Sequence, residues 1–143
     1  MKELENKKVL KMKEYIAHSD ITVYDHCLSV MKMSLLISDK LHIKVERKEL
    51  LRGALLHDFY LYDWHDLPKP KSFFELHGFT HSKIALENAT KEFDLSEREK
   101  NIIASHMFPL TLTKVPKCRE AWIVCIADKI VATKETFKKY KRA

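Results

Sequence analysis

Glycine and proline are scarce, with two of the first and four of the second in 143 residues. Such a chain has few of the residues that tight hairpins and strand ends rely on, and its apolar residues recur at three- and four-residue steps rather than alternating. A β-rich fold is thereby disfavoured, and the expected class is all-α. Cysteine is nearly as rare. Cys27, Cys118 and Cys125 are odd in number and contain no Cys-x-x-Cys pair, which excludes a disulfide framework and a zinc ribbon and leaves buried free thiols. No stretch approaches the roughly 20 uninterrupted apolar residues of a bilayer span. The charged start Met1-Lys2-Glu3-Leu4-Glu5 lacks an apolar export core, so the expected compartment is cytoplasmic and no membrane partner is expected. Zinc-finger spacing, Gly-Arg clusters and a helix-turn-helix pattern are missing too, so no stable nucleic-acid complex is expected. The net charge of +6 is carried in good part by helix backs and by the tail from Lys138 to Arg142, where solvation explains it.

What is present is 45% apolar and 32% charged residues, the balance of one globular domain spanning 1–143. The periodicity predicts a bundle of about six or seven helices. A first helix is expected from about Glu3 to Ala17, stopping near His18-Ser19-Asp20. A second runs from about Val23 to Leu41 with Leu28, Met31, Leu35 and Leu36 inward, and a third from about Arg47 to Asp58. A long connection from Phe59 to Gly78 follows. A fourth helix is expected from about His81 to Phe93, because Gly78 argues for a loop before it. Ser96-Glu97-Arg98-Glu99 is a capping box that starts a fifth helix ending near His106. The last helix spans about Glu120 to Tyr140. No heptad pattern indicates an oligomeric state.

The chemistry resides in histidines placed at helix ends and on apolar faces. His57-Asp58 closes the apolar run Ala54-Leu55-Leu56, where an unpaired charge would be costly and a cation would remove the cost. Imidazole nitrogen and carboxylate oxygen suit iron, manganese, zinc or nickel, with magnesium also admitted. His26, His81, His106 and Asp128 can converge on the same point from other helices. Asp128 in particular follows the apolar stretch from Trp122 to Ala127 and needs a partner there. His77 is an alternate ligand to His81.

The order His26, Leu55-Leu56-His57-Asp58, His81, His106, Ala127-Asp128-Lys129 resembles the HD-domain superfamily of metal-dependent phosphohydrolases, over about Val23 to Tyr140. By that resemblance the four core ligands are His26, His57, Asp58 and Asp128. His81 and His106 match the extra histidines of members that hold two metals, so a pair of divalent ions is implied, with Asp58 as the bridging catalytic carboxylate. The implied activity is attack of metal-activated water on the phosphorus of a nucleotide or related phosphate ester. Asp66, or alternatively Asp63, is the expected acidic residue that handles the water. Lys83 and Lys129 are candidates to hold phosphate oxygens. The cyclic-dinucleotide branch carries Gly-Tyr-Pro where Met107-Phe108-Pro109 stands here, which removes support for that substrate. The aromatics after Asp58 (Phe59, Tyr60, Tyr62, Trp64, Phe73, Phe74 and Phe79) could line a lid over a base or simply pack a long loop. A module that binds metal and nucleotide without turnover is the alternative, although the ligand set is complete.

Overall fold

A computed structural model describes residues 1–18, 20–60 and 77–142, with backbone only at 18, 77–79 and 138–142. Among these residues the order is α1 (Lys7–Leu10), β1 (Ile16–His18), β2 (Ile21–Thr22), α2 (Val23–Lys40), α3 (Arg47–Leu56), α4 (His77–Glu92), α5 (Glu97–Ser105) and α6 (Arg119–Arg142). The fold is mostly helical, with a single two-stranded antiparallel ribbon of β1 and β2 among the described residues.

The first helix expected from the sequence does not form as one piece. A 3-10 turn covers Lys2–Glu5, α1 follows, and a second 3-10 turn covers Lys11–Glu14. The break has a local cause: Asn6 is extended (φ −65°, ψ 132°), and its side chain accepts from the backbone N–H groups of Lys8 and Val9, starting a new helix in mid-run. Tyr15 then turns extended, and its carbonyl accepts from Val23 N–H at 2.8 Å, tying the ribbon to the start of α2. Val9 and Met12 are buried and anchor this irregular segment to the core.

The long helices follow their caps. Thr22 accepts from Asp25 N–H to start α2. Ser96 and Glu99 form the expected reciprocal capping box at α5, with Ser96 Oγ accepting from Glu99 N–H at 3.1 Å and Glu99 Oε1 from Ser96 N–H at 2.8 Å. The inward stripe of α2 differs from the expected one. Val23, His26, Cys27, Val30, Ser34 and Ser38 are buried, whereas Leu36 is exposed and Leu28, Met31 and Leu35 only partly covered. Polar Ser34 and Ser38 on the true stripe masked it. α4 begins at His77, four residues before the position expected, so Gly78 lies inside its first turn.

Two apolar clusters hold the bundle. One joins Val23 and Cys27 to Leu55, Leu56, Phe59, Ala85 and Ile103; the other joins Val30 to Leu50, Ala54, Ile102, Val124 and Val131. Each large aliphatic side chain removed from water contributes about 1.5–3 kcal/mol. α3 and α5 approach so closely that a Cβ on Gly53 would lie 2.6–2.9 Å from Ile102 side-chain atoms. That close crossing sets the spacing between the two helix ends carrying His57 and His106. No described helix is long and apolar enough to cross a membrane.

Candidate metal centre

His57 and His106 occupy equivalent positions, each the first residue beyond a core helix, as C-caps of α3 and α5. Carbonyls in the last turn of a helix lack intrahelical donors. Each ring folds back onto one of them: His57 Nδ1 donates to Ala54 O at 2.6 Å and His106 Nδ1 to Ile103 O at 2.7 Å. With Nδ1 held as the donor to a backbone carbonyl, the orientation of each ring is fixed and both Nε2 atoms face inward. The apolar runs that close in these histidines drive α3 and α5 into the core and carry both rings to full burial.

The remaining members arrive from three other directions. His26 comes from the second turn of α2, His81 from α4 and Asp128 from the middle of α6, while Asp58 directly follows His57. His26 Nε2 lies 2.8 Å from Asp128 Oδ1, and His57 Nε2 lies 3.1 Å from the same oxygen. Asp58 Oδ2 is 3.5 Å from His26 Nε2 and 3.4 Å from His57 Nε2. Its other oxygen, Oδ1, is 3.2 Å from the Nε2 atoms of both His81 and His106. Those two nitrogens are themselves 2.9 Å apart. Two groups able to hold a metal ion result, His26/His57/Asp58/Asp128 and Asp58/His81/His106, and Asp58 belongs to both.

Electrostatics favour ionised carboxylates and charged imidazoles here despite burial. Burial alone would lower the pKa of His26, but hydrogen bonds to Asp128 and Glu135 override it and push it up to about 10. In His57 burial is likewise outweighed, chiefly by the charge of Asp58, and the pKa is raised well above the ordinary value. Burial would raise Asp58 and Asp128, yet the surrounding histidines hold both well below the usual carboxylate range. His106 goes the other way, lowered first by its burial, so its Nε2 keeps its lone pair at neutral pH. Asp58 Oδ1 is buried without a well-formed hydrogen bond. An orphaned carboxylate oxygen beside two imidazole nitrogens is a donor set that fits a first-row divalent cation.

All six ligand candidates from the sequence, His26, His57, Asp58, His81, His106 and Asp128, are therefore brought together, and all are buried. The other candidates fare differently. Asp63 and Asp66 lie outside the described residues, as do Tyr62, Trp64, Phe73 and Phe74. Phe59 is a core residue packed against Phe93, and buried Tyr60 meets His81 edge-on, so neither is a free lid ring. Lys83 is exposed, two residues beyond His81 and so on the opposite side of α4. Lys129 does not offer an open ammonium: Nζ donates to His106 O at 3.1 Å, and lies 3.4 Å from Cys125 O and 3.1 Å from its Sγ. Sequence reasoning missed Glu135, whose Oε2 accepts from His26 Nδ1 at 3.0 Å. Its signal was present, since Ala121, Val124, Asp128, Val131 and Glu135 form one buried stripe at steps of three and four.

A family model described as HD domain matches residues 23–133. The chain belongs to the HD-domain family. The matched span opens at the first residue of α2 and contains all six candidate ligands. No curated protein and no solved structure matches this HD domain. HD domains are in general metal-dependent hydrolases that bind divalent metals, and the buried histidine and aspartate groups are where this one could hold them.

Proposed function

We propose that this HD domain is a phosphohydrolase acting on a small phosphate ester, a nucleotide or a close relative, with two divalent ions held by His26, His57, Asp58, Asp128, His81 and His106. The observation that carries the reading is the shared carboxylate: Asp58 presents Oδ2 to one ligand group and Oδ1 to the other. Ions bound there would supply a water acidic enough to attack phosphorus at neutral pH and would offset charge on the phosphoryl oxygens. The protein's own part is orientation. His57 and His106 keep their Nδ1 protons on backbone carbonyls, so their Nε2 atoms are fixed before any ligand arrives. Asp66, with Asp63 as the alternative, is proposed by family resemblance to take the proton from the attacking water. A nucleotide is supported by the family resemblance and by the aromatic residues Tyr62, Trp64, Phe73 and Phe74 in the segment after Asp58.

The test is elemental analysis of protein purified without chelator or affinity-tag metal, paired with a phosphatase and phosphodiesterase screen over nucleotides. Two first-row metals per chain, with turnover abolished by chelation and by His57→Ala, are expected. Metal without turnover would leave a binding module instead of an enzyme, and no metal after reconstitution would end the proposal.

A further inference from the structure

His26 lacks the device that fixes the other helix-end histidines. It sits inside α2, where backbone carbonyls are taken up by the helix, so no open helix-end carbonyl is at hand for Nδ1. Its acceptor is the carboxylate of Glu135, 109 residues away in sequence. Glu135 lies two turns beyond Asp128 on the buried stripe of α6 and is only 9% exposed. The fully buried His26 ring thus spans two carboxylates of one helix, Nδ1 on Glu135 and Nε2 on Asp128.

A buried carboxylate is expensive unless its partner is in good geometry, so a glutamate at this position implies a task. Donation from Nδ1 to an anion fixes the ring's tautomer and orientation and makes Nε2 a stronger donor to a metal than donation to a neutral carbonyl would. His106, in the other group, has a neutral carbonyl as its Nδ1 acceptor. We propose that Glu135 is a positioning residue which, through its hydrogen bond to His26, makes His26/His57/Asp58/Asp128 the tighter-binding of the two metal groups. This rests on the reading of the cluster as a dinuclear centre, and its consequence is sequential filling: at limiting metal the chain holds one ion, and the second enters last at Asp58/His81/His106.

The experiment uses cobalt(II) alone as the probe, titrated into the chelator-stripped 143-residue chain against a competing chelator and followed by visible absorbance, with far-UV circular dichroism to verify the helical fold. Wild type is expected to bind in two steps. Glu135→Leu should weaken the first step by roughly 10–100-fold and leave the second within about threefold. Glu135→Gln keeps an acceptor oxygen without the charge and should recover part of the loss; should the leucine variant not fold, a weakened first step in this variant decides the matter. His81→Ala should delete the second step and spare the first. Unchanged first-step affinity in Glu135→Gln together with Glu135→Leu, or equal weakening of both steps, would overturn the role of Glu135. Absence of cobalt binding by wild type would instead overturn the metal-centre reading beneath it.

Discussion

At the scale of single residues, Asp58 and its neighbours differ in what they should take with them when removed. Asp58 belongs to both ligand groups, so Asp58→Ala is expected to empty both, whereas His106→Ala should cost one ion and leave the other. Metal-to-protein ratios after dialysis distinguish the two; equal loss in both variants would refute the shared-carboxylate arrangement. Lys129→Met should act more gently, since its ammonium clamps the carbonyl of His106. Loss of such a bond is expected to lower stability by about 0.5–1.5 kcal/mol, read in a urea melt, and to reduce occupancy at His106 without touching His26. Most of these residues were legible in the sequence because a charge stranded in an apolar run needs a partner, as with Asp128 after Trp122 to Ala127. Glu135 was not, because Lys134 and Thr136 beside it give no apolar contrast, and only the three- and four-residue stripe reveals it. The contact of Lys129 with the carbonyl of His106 is not legible in the sequence, which shows a cation's position but not a helix-end carbonyl beside it.

At the scale of elements, the spacing between α3 and α5 is set by Gly53 against Ile102. Gly53→Ala would gain about 1 kcal/mol in helix propensity but force a methyl group into Ile102, where overpacking costs about 1–3 kcal/mol. The clash is expected to win, because it includes the branched Ile102 Cβ at 2.9 Å as well as the flexible end of the chain. A lower melting temperature accompanied by weaker metal retention is the expected result, since α5 carries His106. Ser96→Ala tests the opposite end of α5. Loss of the capping box should cost about 1 kcal/mol while leaving metal stoichiometry intact, so the pair separates helix stability from helix placement. The bounds of α2, α3, α5 and α6 were close to readable from caps and periodicity. The N-terminal run was not, because Asn6 satisfies backbone donors in mid-sequence and makes two short pieces from one helical pattern.

At the scale of the whole molecule, the buried charges give metal-free protein a stability that depends on pH from both sides. His26 is raised from 6.5 to about 10, so its contribution is complete below about 6.5 and lost as pH climbs through about 10. Asp128 is depressed from 3.8, so its contribution holds above that value and is lost as pH falls further. Thermal midpoints of chelated protein are expected to decline on both flanks. Metal must displace the proton held between His26 and Asp128, so binding should release protons and tighten with rising pH. Calorimetry in two buffers of different ionisation enthalpy measures this, and zero proton release would contradict the charge state argued for His26. The link between His26 and Asp128 joins positions 102 residues apart. A ligand seated across that link is a reversible cross-link in a chain whose described cysteines are all unpaired. It closes a long loop in the folded state only, and at 1,000 times its dissociation constant it would add about 4 kcal/mol of stability. The lifetime of the folded chain against proteolysis would then follow the metal supply around it.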